Sequence, residues 1–195
     1  MTEIVVATHN KGKLREFQDL LGNRYRLLSV GDFDGGVEPE ENGKTFAENA
    51  LIKARAAYKA SGLPSFADDS GICVDALDGA PGIYSARYAE GGPKACNAKL
   101  LEVMKDVSDE KRTAHFACCI AYTDGKKEFT VEGRCEGYIL REEDGKEGFG
   151  YDPLFYSKDI GKSFGKATLE EKTSCSHRGR AALLFAEKLK EIYGE

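Results

Sequence analysis

Two adjacent aspartates, Asp68 and Asp69, sit in the stretch FADDSG. Like charges that close raise each other's pKa, and each must be desolvated or neutralised. A second acidic pair, Glu40-Glu41, lies in the polar, glycine-rich stretch GDFDGGVEPEENGK. Hard divalent cations take oxygen ligands, and Mg²⁺ often takes only one or two carboxylates, with water and substrate phosphates completing its shell. A carboxylate left unligated, or ligated through water, accepts a proton from an attacking water. The plainer alternatives are a solvated acidic loop at Glu40-Glu41 and an Asx-type turn at Asp68-Asp69.

Other stretches carry complementary chemistry. In THNKGK, Thr8 to Lys13, a strand ends, small polar residues turn and a helix begins. Helix N-termini point backbone N–H groups at an anion and the dipole favours it. Thr8, Asn10 and Lys13 add donors and charge, although the GxxxxGK[ST] spacing of a Walker A loop is absent. The alternative is an ordinary strand-to-helix turn with Asn10 as its cap. Lys53 and Arg55 fall on a later helix, and Lys172, His177 and Arg178 cluster in EEKTSCSHRGRA. A cation at a helix start opposes the dipole, so His177 and Arg178 are better placed beside an anion or an electron-rich ligand, or else on a plainly capped surface helix. In GFGYDP, Phe149 lies between two glycines and Tyr151 follows the second, and these aromatics either stack on a nucleobase or plug the core below the loop.

The elements that must hold these groups follow from periodicity. The run over Glu3–Thr8 predicts a buried strand, and Leu14, Phe17, Leu20 and Leu21 share one face of a helix ended by Gly22. YRLLSV predicts a second strand. Thr45 to Glu48 is a capping box opening the helix FAENALIKARAAYKAS. SFAD and ICVDAL predict strand pieces separated by an acidic turn. Pro93 fits the first turn of a helix, and TAHFACCIAYT and KEFTVEGRCEGYIL predict strands paired across Asp124-Gly125. Thr168 to Glu171 is a second capping box. Ser176 caps a last helix whose inner face carries Ala181, Leu184, Phe185 and Leu189. Alternating strands and helices, then hairpin strands, predict an α/β fold with a mixed sheet.

Composition narrows the partners. A chain of 195 residues predicts one domain, or one domain with two lobes, and its net charge of −5 disfavours non-specific duplex binding. No apolar run reaches the ~20 residues of a membrane span. Six cysteines without a CxxC pair and three scattered histidines argue against zinc and for buried thiols. No basic leader precedes the first strand, which predicts a cytoplasmic chain.

Six motifs then occur in order: TxNxxK at Thr8–Lys13, EExGxTFxENAxxKA at Glu40–Ala54, ADDSG at Ala67–Gly71, GAPGIYSAR at Gly79–Arg87, GFGYDP at Gly148–Pro153 and EEKxxxSHRGxA at Glu170–Ala181. Together they span nearly the whole chain, which resembles the inosine/xanthosine triphosphate pyrophosphatase family, the XTP/dITP diphosphohydrolases. The resemblance implies a single domain over residues 1–195: a long twisted mixed sheet flanked by helices, in two lobes with an active-site cleft between them. It also implies Mg²⁺-dependent hydrolysis of ITP, dITP and XTP to the monophosphate and pyrophosphate, removing damaged nucleotides from the pool, by a homodimer.

Carried over by motif, Asp69 is the general base and lies near the metal, Glu41 is a metal ligand and Asp68 supports them. Thr8, Asn10, Lys13, Lys53 and Ser70 hold the triphosphate. His9, Lys11 and Gly12 contribute backbone alone. Phe149 stacks on the base, Gly150, Tyr151 and Asp152 shape its pocket, and Lys172, His177 and Arg178 read the purine edge and the nearby sugar or phosphate. Two rivals are a related nucleotide pyrophosphatase for modified pyrimidine nucleotides or other non-standard bases and a nucleotide sensor without turnover.

Overall fold

In the computed structural model, which describes residues 1–34 and 38–194, the first apolar run forms β1 (Thr2–Val6), with Ile4, Val5 and Val6 sealed from solvent. Part of the long acidic loop expected over residues 31–44, Gly35 to Val37, falls outside the described residues. Asn10 caps α1 (Lys11–Leu21) by accepting the N–H groups of Gly12 at 2.8 Å and Lys13 at 3.3 Å. Gly22 ends it with φ at 69°. The chain returns as β2 (Tyr25–Ser29), parallel to β1.

Thr45 accepts the Glu48 N–H at the start of α2 (Phe46–Ser61). The reciprocal half of the expected capping box is displaced, because Glu48 accepts from the Lys44 N–H instead. β3 (Ser65–Val74) is one continuous strand, parallel to β1. The acidic turn expected within it does not exist: Asp68, Asp69 and Ser70 are strand residues. Successive strand side chains point to opposite faces, so the two carboxylates diverge. α3 (Pro93–Val103), β4 (Thr113–Thr123) and β5 (Glu128–Ile139) fall where expected. The short strands β6 (Phe155–Ser157) and β7 (Lys162–Ser163) precede α4 (Leu169–Cys175) and α5 (His177–Tyr193). The strands make one open mixed sheet in the order β2-β1-β3-β4-β5-β6-β7.

The chain divides into two compact units. The first comprises Met1–Asp69, Cys118–Gly133 and Ala181–Glu195. Its core packs Phe66 against Phe17 at 5.1 Å and against Phe185 at 4.8 Å between ring centroids. Each such ring, fully buried, contributes about 1.5–3 kcal/mol. In α5, Ala181, Phe185 and Leu189 face this core as expected, but Leu184 is 44% exposed and Ala182 takes the inner place.

The second unit comprises Ser70–Ala117 and Arg134–Arg180. Its core is built on Phe116, Phe155 and Phe164, with Phe116 and Phe155 centroids 4.7 Å apart. Ser85 clamps β3 here, accepting the Ile72 N–H at 2.9 Å while its hydroxyl donates to Gly82 O at 2.6 Å. A Cβ at position 71 would lie 2.4 Å from both Gly82 O and Ser85 Oγ, so only glycine fits beside Ser70. The GAPGIYSAR motif is thus a backbone clasp on the strand that carries the aspartates.

Candidate active site

Within the first unit, each aspartate has its own lysine. Lys13, in the first turn of α1, donates to both Asp68 oxygens at 2.9 and 3.0 Å. Lys53, midway along α2, donates to Asp69 Oδ1 at 3.0 Å and lies 3.2 Å from Glu41 Oε1. One ammonium therefore bridges the two carboxylates expected to work together. Glu40 is exposed while Glu41 is half-buried in the cluster, which separates the two acids of that loop.

Asn49 belongs to the same group and the sequence reading missed it. Its Nδ2 donates to Asp69 Oδ2 at 3.3 Å, and its Oδ1 accepts the Gly43 N–H at 2.9 Å. It thereby ties the strand acid to the loop bearing Glu41. The available signal was its place one turn before Lys53, because residues i and i+4 share a helix face.

Electrostatics follow from this crowding. Burial pushes the Asp69 carboxyl above its ordinary range, Lys53 pulls it back and Glu41 pushes it further, with a net upward shift. Burial acts to lower Lys53, but Asp69 and Glu41 outweigh it and the ammonium is raised. An acid moved toward neutrality is what a proton acceptor requires.

A cavity of about 190 Å³ is lined by Thr8, Lys13, Glu38, Glu41, Lys53 and Asp68. Thr8 accepts the Asn10 N–H at 3.1 Å, so the turn after β1 is ordered toward α1. Its lining carboxylates, Glu38, Glu41 and Asp68, against the Lys13 and Lys53 ammonium groups leave one negative charge, and carboxylates are hard oxygen donors. That donor set fits Mg²⁺.

The second unit gathers the GFGYDP loop and α4. Phe149 is 67% exposed, while Tyr151 is buried and its hydroxyl donates to Ser85 O at 2.8 Å. The two aromatics therefore divide the alternatives, one open to a ligand and one plugging the core. Asp152 is buried and accepts the Phe149 N–H at 2.7 Å and the Lys172 ammonium. Gly148 has φ at 76°, and a Cβ there would meet the Asp152 carboxylate. Lys172 Nζ also stands 4.5 Å from the Phe149 ring centroid. Asn97 on α3 donates to Gly150 O at 3.1 Å and to Glu143 Oε1 at 2.9 Å, a second positioning contact that the sequence reading missed.

The Thr168 capping box forms as expected and presents Lys172 one turn later. Ser176 accepts the Gly179 N–H at 3.0 Å at the start of α5. His177 stacks on Phe116 at 4.8 Å, and Arg178 is equally buried. They are thus packed groups rather than solvated surface residues. Ser70 follows Asp69 on β3 and is half-buried. Of the cysteines, Cys73 is half-buried and the rest are buried, with no disulfide. Burial pushes the Cys119 thiol up to about 12, which excludes it as a nucleophile at neutral pH.

The chain resembles known proteins along nearly its whole length. The sequence model described as the Ham1 family matches residues 4–188. The chain is 51% identical over 193 residues to a dITP/XTP pyrophosphatase of Pseudomonas aeruginosa, covering 97% of this chain and 98% of that protein. It is 49% identical over 196 residues to a dITP/XTP pyrophosphatase of Desulforamulus reducens, covering 98% and 97% respectively. Among solved structures, a HAM1 protein from Coxiella burnetii superposes with a TM-score of 0.92 at 40% identity, over 98% of this chain and all of that one. The Staphylococcus aureus Ham1 protein gives 0.91 at 36% identity, covering 97% and 99%.

Proposed function

The chain belongs to the Ham1 family, and from that premise we propose that it hydrolyses deaminated purine nucleoside triphosphates, dITP, XTP and ITP, to the monophosphate and pyrophosphate. The observation that carries the reading is the Lys53 ammonium held between Glu41 and Asp69, with Asn49 fixing Asp69 from its other oxygen. A raised, hydrogen-bonded carboxylate beside clustered cations suits activation of water against a polyanion.

In this reading Asp69 is the catalytic residue. It takes the proton of a water whose oxygen bonds to the α-phosphorus, while the bond from that phosphorus to the bridging oxygen breaks and pyrophosphate leaves. Thr8, Asn10, Lys13, Lys53 and Ser70 hold the phosphates. Such transfers draw on positioning and electrostatics more than on covalent chemistry. Glu41 and Asp69, supported by Asp68, would hold Mg²⁺, which when bound supplies charge neutralisation to the phosphate oxygens and the leaving pyrophosphate.

The base end is assigned to Phe149, which stacks, with Gly150, Tyr151 and Asp152 fixing its loop. Lys172, His177 and Arg178 meet the purine edge and the nearby sugar or phosphate. A 6-oxo group accepts hydrogen bonds where adenine's amino group donates them, and a buried donor left facing a donor is costly. The assignment therefore favours ITP and XTP over ATP. By the same family resemblance the protein acts as one two-lobed domain over residues 1–195, as a cytoplasmic homodimer. No helix among the described residues is long and apolar enough to cross a membrane.

The test is pyrophosphate release from ITP, dITP, XTP, GTP and ATP, with and without Mg²⁺. The reading expects turnover of the first three, weak turnover of the others and none without the ion. Equal rates on all five, or phosphate as the released product, would overturn it.

A further inference from the structure

A second cluster of ligand atoms lies in the second unit, apart from the acids described above. Cys135 on β5, Asp159 just after β6 and Cys175 at the end of α4 each offer one ligand atom, and these three atoms lie within 4.8 Å of one another, with the two cysteines buried and Asp159 exposed. Both sulfurs are buried, at 0% and 5% residue exposure. Cys135 Sγ is 3.6 Å from both Asp159 Oδ2 and Ser157 Oγ. The Asp159 N–H donates to Ser157 Oγ at 3.3 Å, which fixes the turn after β6. Arg180 donates to Asp159 Oδ2 at 3.0 Å and to Arg134 O at 2.7 Å.

We propose that Cys135, Cys175 and Asp159 form a structural site for a soft divalent cation of the Zn²⁺ class, completed by the Ser157 hydroxyl or a water. Thiolate sulfur selects Zn²⁺ over Mg²⁺, and a carboxylate oxygen is an accepted third ligand. Tetrahedral zinc with Zn–S near 2.3 Å sets its ligand atoms about 3.8 Å apart, so the cluster needs to contract by about 1 Å at most. Charge also closes. Two thiolates and one carboxylate carry three negative charges, and the cation with the Arg180 guanidinium supplies three positive ones. Arg180 already sits on Asp159 as the outer partner that orients a ligating carboxylate. Coordination releases the two thiol protons to solvent and changes no oxidation state.

The site would join β5, the turn after β6 and the end of α4. Lys172 is one helical turn before Cys175, so the cation would stiffen the helix that presents it. Sequence spacing argues against zinc because Cys135 and Cys175 are remote from each other and lie in no paired motif; only folding brings them together.

The experiment uses the full chain, stripped with a chelator and titrated with Co²⁺ and then with Zn²⁺ while Mg²⁺ is in excess. A near-ultraviolet thiolate-to-cobalt charge-transfer band, saturating at one ion per chain and displaced by Zn²⁺, is expected. At about a hundredfold excess of Zn²⁺ over its Kd, Tm should rise by about 5–10 °C. Cys135→Ser and Cys175→Ser should each abolish the band. Asp159→Asn, an exposed change that leaves the core intact, should weaken Co²⁺ binding at least about tenfold, the loss typical of a removed ligand or its support. No thiolate band in the wild-type chain, Zn²⁺ binding unchanged in Asp159→Asn, or a Cys135–Cys175 disulfide in place of a bound ion would each overturn the proposal.

Discussion

Lys53 and Asp69 touch, yet removing one should cost far more than removing the other. Lys53→Met leaves Glu41 and Asp69 facing each other without the ammonium that stands 3.2 and 3.0 Å from them. Breaking a buried pair by deleting one partner costs about 3–5 kcal/mol. The Lys53 and Glu41 side chains keep 16% and 27% exposure, so solvent screening reduces that. About 2–3 kcal/mol remains, and for a domain of this length each kcal/mol moves Tm by about 2–4 °C. A fall of about 4–12 °C is expected.

Asp69→Asn works in the opposite sense. An acid whose folded-state pKa is raised binds its proton more tightly when folded. Its contribution to stability is therefore present at low pH and lost as pH rises from the unfolded pKa through the folded one. At neutral pH the ionised Asp69 is a burden, and asparagine keeps an acceptor for Lys53 while removing the repulsion from Glu41. Its Tm should stay within about 4 °C of the parent, a change of about 1 kcal/mol. Because the two residues share one network, the double variant should be more stable than Lys53→Met alone. The assay is thermal unfolding followed by circular dichroism at neutral pH. If Asp69→Asn loses as much stability as Lys53→Met, and the two losses add, Asp69 is a structural ion-pair partner and the reasoning fails.

Asp69→Asn should also lower kcat by about 10²–10⁴-fold, the usual worth of a general base, while nucleotide affinity by calorimetry is retained. Phe149→Ala should raise KM by about 5- to 150-fold, from a stacking contribution of about 1–3 kcal/mol, with a smaller change in kcat. An unaltered KM would detach that exposed ring from the substrate. Asn49→Leu deletes both of its hydrogen bonds and leaves the Gly43 N–H without its acceptor, so denaturant unfolding should show a loss of about 1–3 kcal/mol. Parent-like stability in that variant would mean the loop holds Glu41 by other contacts.

Where local chemistry and tertiary context agree, the elements were legible. Asn10, Thr168 and Ser176 each cap the helix their side chains announced. The misread acidic turn is instructive. Asp-Asp-Ser-Gly has poor strand propensity and looks like a turn, but β3 is held by pairing with its neighbours and by the Ser85 clasp, which override a local preference of about 1 kcal/mol. The consequence is chemical, because a strand sends Asp68 to Lys13 and Asp69 to Lys53, whereas a turn would have left the two charges together.

Contacts between remote residues were not legible. Asn49 reads as one polar helix residue among many, and Asn97 gives no sign that it will meet Gly150. For Phe149 and Tyr151, sequence offered stacking or core-filling for both; burial assigns exposure to one and the core to the other. Leu184 satisfies a helical period yet faces outward, since the core is reached by Ala181 and Ala182 with Phe185 and Leu189. Cys135 and Cys175 met every sequence criterion for isolated thiols and still converge.

The most direct measurement of the central claim is hydrolysis of dITP in water enriched in heavy oxygen, with mass analysis of both products. Attack at the α-phosphorus by water that Asp69 deprotonates puts the label in the deoxyinosine monophosphate and none in pyrophosphate, and Asp69→Asn should suppress both products alike. Label recovered in pyrophosphate, or undiminished turnover in that variant, would contradict the account.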